Sequence, residues 1–282
     1  MNLTIEKLTK SFGEKQALNI DHYAIHSGET IGLVGNNGAG KTTLFRIILD
    51  LLHADTGCVT IDGVVDGQPV SCDTSKSEAW KAYTGAFVDT GFLIDYLTPE
   101  EYFRFIAKIS GISDAVMHDR LLQFDGFMNG EILGQKTLIR NLSMGNKQKV
   151  GIIGAMLHYP KLLILDEPFN FLDPTSQLAM KYLLETYSKE QKATIIVSSH
   201  NLTHTLDICS RITLLEHGLI LKDYDRDYAL LNSEIEEYFR GQQSGKNWVR
   251  FIRRHRTFYR QKKDIREKVR RRRTFLKEID LL

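Results

Sequence analysis

The sequence predicts an α/β protein: a core of strands alternating with helices, one helical block inserted into it, and a basic helical extension. Three observations carry this reading. Short apolar runs recur at residues 30–34, 162–165 and 194–197, each with the length of a buried strand. Between about 90 and 160 the pattern turns helical, which marks an insertion into an alternating core. From residue 246 onward the charge character changes altogether.

Taken in order, Thr30-Ile31-Gly32-Leu33-Val34 reads as a buried strand, and residues 41–52 have helical composition. Cys58-Val59-Thr60-Ile61 reads as a strand entering a turn at Asp62-Gly63, since Asp and Gly favour turns. Thr98-Pro99-Glu100-Glu101 offers a threonine N-cap with proline at the first helical position. Ser113 and Ser143 stand where further N-caps are expected. Leu162-Leu163-Ile164-Leu165 and Thr194-Ile195-Ile196-Val197 are buried strands. Residues 211–215 and 219–221, parted by Glu216-His217-Gly218, read as a hairpin.

Composition excludes several classes. A chain of 282 residues with 42% hydrophobic and 26% charged residues is not disordered, fibrous or a small disulfide scaffold. Cys58, Cys72 and Cys209 are scattered and form no metal-ligand pair, which fits a reducing compartment. No apolar run reaches the roughly 18 residues needed to span a bilayer. The first residues carry no apolar signal segment. The expectation is a cytoplasmic protein.

Charge divides the chain. Residues 246–282 hold 15 Lys and Arg against four Asp and Glu, a charge of +11, while the remainder holds 22 against 31 and is −9. Gly241-Gln242-Gln243-Ser244-Gly245 has linker composition. The expected organisation is a domain over 1–240 with its helical subdomain at about 90–160, a linker over 241–247, and a tail over 248–282. The tail lacks Pro and Gly, and its Phe251, Phe258, Ile265, Val269 and Leu276 fall within about 40° of one helical stripe. Such a helix can lie on an anionic membrane surface or a membrane partner. It can also pack on the acidic domain, bind nucleic acid through phosphates, or stay unfolded.

Gly35-Asn36-Asn37-Gly38-Ala39-Gly40-Lys41-Thr42 fits G-x-x-x-x-G-K-[ST], after a strand and opening a helix, with Thr43 next in that helix. In this context backbone N–H groups converge on phosphate oxygens at a helix N-terminus. Lys41 brings a point charge and Thr42 an oxygen for Mg²⁺. The bland alternative is a structural glycine turn. Asp166 and Glu167 end an apolar strand, at the carboxyl edge where open α/β sheets bind ligands. Asp166 suits Mg²⁺, and Glu167 suits activation of water; alone, the pair would also serve as a helix cap. His200 follows another strand and is either a buried structural histidine or a sensor of a γ-phosphate.

These pieces, in this order, resemble the ATP-binding cassette (ABC) ATPases of membrane transporters, over about residues 1–240. Leu142-Ser143-Met144-Gly145-Asn146 matches the LSGGQ signature at Leu142, Ser143 and Gly145 and departs at Met144 and Asn146. Asp166-Glu167-Pro168 and Leu172-Asp173-Pro174 match the end of Walker B and the D-loop, and His200 matches the switch histidine. The resemblance implies a P-loop NTPase core of ABC type with an antiparallel β subdomain and an inserted helical one, using ATP and Mg²⁺. It places Phe12 on adenine, where an unaided reading makes it core. It puts Asp89 where the family has Gln or Glu, either near Mg²⁺ and its water or as a loop acid.

The family closes Ser143 and Gly145 of one copy over the ATP of another, with Asp173 acting across the pair. One loop and one signature therefore imply a second copy or a homologous subunit. The resemblance extends to ATPases of ABC-2-type bacterial exporters with separate permease chains, which would hold this subunit at the inner face of the cell membrane. The rival reading is a soluble ABC ATPase acting on ribosomes or nucleic acid through the tail. A third is a cassette that binds without turnover, against which Glu167 and His200 argue.

Overall fold

The computed structural model describes residues 1–65 and 67–225; the linker and basic tail expected beyond 240 lie outside the described residues. The chain runs β1 (Asn2–Phe12), β2 (Lys15–Ile25), β3 (Thr30–Val34), α1 (Lys41–Ile48), β4 (Thr56–Val65), β5 (Gln68–Asp73), β6 (Thr84–Phe87), α2 (Pro99–Ile109), α3 (Asp114–Leu122), α4 (Asp125–Met128), α5 (Met144–Met156), β7 (Leu162–Leu165), α6 (Pro174–Gln191), β8 (Thr194–Ser199), α7 (Leu202–Ile208), β9 (Arg211–Glu216) and β10 (Leu219–Asp225).

Two sheets result. The first is antiparallel in the order β2-β1-β4-β5, and the second follows β10-β9-β3-β8-β7-β6. In the second, β6, β7, β8, β3 and β9 are parallel and only the β9–β10 hairpin is antiparallel. Every residue of β3, β7 and β8 is buried. Strands covered on both faces by other elements read as continuous apolar runs, which is why these three were the strands most plainly written in the sequence.

Alternate residues of the same strands feed two different cores, because successive side chains point to opposite faces. Leu162, Ile164 and Ile196 join Leu3, Ile5, Phe45 and Ile61 on the face of the antiparallel sheet and α1. Leu163, Leu165, Ile195 and Val197 join Phe103, Phe124, Ile152 and Met180 on the face of the helical block and α6.

The helical block begins as expected. Thr98 caps α2 in a full capping box with Glu101, Pro99 follows it, and Ser113 and Ser143 cap α3 and α5. The turn expected at Asp62-Gly63 is absent, since β4 continues to Val65. A Cβ on Gly63 would lie 2.7 Å from Met1 Sδ, so this glycine admits the Met1 side chain against the strand.

Close backbone packing holds α5 on β6. A Cβ on Gly85 would sit 2.0 Å from the Ala155 carbonyl oxygen and 2.7 Å from Pro160. Overpacking against backbone cannot relax by a rotamer change. Gly85→Ala is expected to destabilise the protein by about 1–3 kcal/mol, read as a lower urea midpoint at an unchanged slope.

Candidate active site

The parallel register brings three strand ends to one edge: Val34 pairs with Ser199, and Leu165 with Val197. The loop of residues 35–40, the acids 166 and 167, and His200 therefore leave the sheet side by side. At Gly35 a Cβ would lie 2.1 Å from the Leu215 carbonyl oxygen. Gly40 caps α1 at φ 111°, and Gly38 has φ 83°, both in the region that favours glycine. Asn36, Asn37 and Gly38 form the more exposed tip, and Ala39 is buried beneath it. The first turn of α1, with Thr43, holds no acid, so its positive end is left for an anion.

Side chains then close the cluster. Lys41 is buried, with Nζ 2.6 Å from the Gly35 carbonyl oxygen and 3.4 Å from Glu167 Oε1. Thr42 Oγ1 donates to Asp166 Oδ2 at 2.5 Å, and Ser198 Oγ donates to Asp166 Oδ1. Burial pushes the Asp166 carboxyl above the usual range, against the pull of those two hydrogen bonds. Glu167 Oε2 stands 2.8 Å from His200 Nδ1. The structure thus brings Lys41, Thr42, Asp166, Glu167 and His200 into one connected set.

The remaining expected residues sit elsewhere on their elements. Phe12 ends β1 and is 53% exposed, so it is not the core residue that an unaided reading favours. Lys10 Nζ lies 5.7 Å from its ring centre. Asp89 uses Oδ1 to accept from Gly91 N at 2.7 Å, a local turn cap. Ser143 accepts from Asn146 N at 3.1 Å, and a Cβ on Gly145 would meet the Phe171 carbonyl oxygen at 2.8 Å. Asp173 caps α6 through Thr175 N and Ser176 N, and its bonds with Ser176 first of all hold its carboxyl below the usual range. Two partners went unread in the sequence, Ser198 and Gln148. Ser198 was visible only as a serine at a strand end.

The family model described as ABC transporter matches residues 18–170. The chain belongs to the ABC transporter ATP-binding family. The bacitracin transport ATP-binding protein BcrA of Bacillus licheniformis is 32% identical over 240 residues, 85% of this chain and 74% of that one. The lantibiotic transport ATP-binding protein SrtF of Streptococcus pyogenes is 29% identical over 85% of this chain and 96% of its own length. A solved ATP-binding subunit of an ABC transporter aligns with a TM-score of 0.67 at 30% identity, over 81% of this chain and 91% of that one. A bacterial ABC transporter cassette, MJ0796, solved as a dimer, shares the fold at a TM-score of 0.68 and 22% identity, over 79% of this chain and 98% of that one.

As a member of this ABC family the chain binds and hydrolyses ATP and powers a membrane transporter. The comparisons support that reading over the ribosomal one. Removing the buried ammonium tests the phosphate loop. Lys41→Met is expected to weaken ATP binding by about 3 kcal/mol, or about a hundredfold, in equilibrium titration, with little loss of fold.

Proposed function

We propose that the cluster around Glu167 hydrolyses ATP in line, with each residue in a distinct role. The observation that carries this is Glu167 itself, with one carboxylate oxygen on His200 Nδ1 and the other 3.4 Å from Lys41 Nζ. Backbone N–H groups of the loop and Lys41 Nζ hold the β- and γ-phosphates. Glu167 takes a proton from the attacking water as its oxygen bonds to the γ-phosphorus and the bond to the bridging oxygen breaks. The products are ADP and inorganic phosphate. His200 contacts the γ-phosphate and holds Glu167 in line.

The residues fit Mg²⁺. A hydroxyl and a carboxylate within 2.5 Å of each other offer the hard oxygen donors this ion takes, with phosphate and water completing its shell. Thr42 and Asp166 would hold it, and it would supply charge neutralisation at the phosphates. Asp89 stays a loop acid in this reading, its Oδ1 taken by Gly91.

A complete site takes two copies, or this chain and a homologous subunit. Ser143 is exposed at the start of α5, whose first turn has no acid, so a positive helix end is presented outward for a second nucleotide. Phe12 stacks on adenine. The transporter's spanning part is a separate permease; among the described residues no helix is long and apolar enough to cross a membrane. Directly after Asp89, Phe92 is 57% and Tyr96 73% exposed, an apolar stretch suited to a partner. The names of BcrA and SrtF favour an exporter of peptide antibiotics. The basic tail then faces anionic lipid at the inner surface of the membrane.

Glu167→Gln is expected to cut turnover at least about a hundredfold and to give a stable ATP-bound dimer by light scattering. A variant that stays monomeric in saturating ATP rejects the assembly. Phe92→Asp with Tyr96→Asp should preserve ATPase activity and abolish co-purification with the permease.

A further inference from the structure

Glu167 carries its role on a backbone that few residues adopt. Its φ is 48°, the left-handed region where a side chain other than that of Gly, Asn or Asp is uncommon. Something must hold it there. Both of its backbone polar groups meet side chains from other elements, and its carbonyl oxygen also accepts from Asn170 N of the following turn at 3.1 Å. Ser198 Oγ on β8 accepts from Glu167 N at 2.8 Å, and Gln148 Nε2 on α5 donates to the Glu167 carbonyl oxygen at 3.1 Å. Ser198 also bonds Asp166, so it belongs to the site proper. Gln148 touches no group assigned to nucleotide or Mg²⁺, and it is only 4% exposed.

Gln148 also sits on a well-anchored element. The helix that carries it starts at the Ser143 cap, one turn earlier. The next residue, Lys149, is 2% exposed and pairs with Glu131 of the helical block at 3.0 Å. At the helix start, Gly145 lies against the backbone of Phe171, in the segment that leads from Glu167 to Asp173. One buried side-chain amide thus links α5 directly to the Glu167 peptide.

We infer that Gln148 is a positioning residue for Glu167: its side-chain amide fixes the left-handed backbone of the base and ties it to the helix that begins at the signature serine. This rests on the reading of Glu167 as the base. Movement of the Ser143 end, on meeting a nucleotide held by another copy, then reaches the base of the same chain's site. A buried donor serving a single carbonyl does this with no contact to substrate.

The test uses the full-length protein. Gln148→Met keeps the length and packing of the side chain and removes the donor. The expected result is a fall in kcat of about ten- to a hundredfold, with KM for ATP within about twofold. The loss must vanish when Glu167 is already gone. Single-turnover hydrolysis by Gln148→Met combined with Glu167→Gln should match that of Glu167→Gln alone.

A kcat within twofold of the parent overturns the inference. So does a loss of the same size in the Glu167→Gln background, which would make Gln148 merely structural. If Gln148→Met does not fold, Gln148→Asn draws the amide back by one carbon and must show the same split between kcat and KM. Near-normal turnover by Glu167→Gln alone would instead refute the base assignment, an outcome separable from these.

Discussion

Asp166 is an acid that has lost most of its water at the end of β7, and the site is built around keeping it there. Two hydroxyls answer it, Thr42 from the phosphate loop and Ser198 from β8. Its backbone N–H donates to the Phe87 carbonyl of β6 at 2.9 Å. One residue thus joins three neighbouring strands and the first turn of α1. Burial still costs the charged form more than these bonds return, since the carboxyl stays above its usual range. A carboxylate in that condition favours any cation brought beside it. The sheet register, fixed by strands buried on both faces, keeps the hydroxyls where they are needed.

The same strands explain how a small site stays tied to two different bodies of structure. Odd and even residues of β7 and β8 pack into separate cores, one under the antiparallel sheet and one under the helical block. Neither core closes without the central strands. The loops that end those strands carry Asp166, Glu167 and His200, so movement of either body relative to the sheet is felt at the site. α5 adds a direct link, through Gly85 on one side and the Glu167 carbonyl on the other.

Legibility in the sequence followed burial. β3, β7 and β8 were readable because continuous apolar runs have one common explanation when turn residues bound them. The phosphate loop and the Asp166-Glu167 pair were readable because their chemistry demands fixed residue types at fixed spacing. β1 and β2 were not read as strands. They are half-exposed, with charged residues among the apolar ones, and their pairing is long-range information that local pattern does not hold. The Asp62-Gly63 turn failed for a tertiary reason, since Gly63 serves the Met1 side chain inside a strand. An amide in the polar run Lys147-Gln148-Lys149 carries no local sign of burial, and only the fold shows it buried against a carbonyl.

Charge supplies the physical reason for the proposed two-copy site. Within the connected set, Lys41 is the one fixed cation and Asp166 and Glu167 are both acids. In the proposed site a triphosphate adds several more negative charges beside these acids. The amides of the loop and the N-terminus of α1 meet part of that load from one side. In the proposed site the rest comes from Mg²⁺ and from a positive group on the open side. The signature helix has that kind of group, an acid-free N-terminus capped by an exposed serine, and the proposed assembly offers it to the loop of another copy. In that proposed assembly an electrostatic deficit becomes the reason for a second copy. Hydrolysis breaks the bond to the γ-phosphorus and removes part of the charge, so in the proposed assembly closure lasts only as long as the γ-phosphate does.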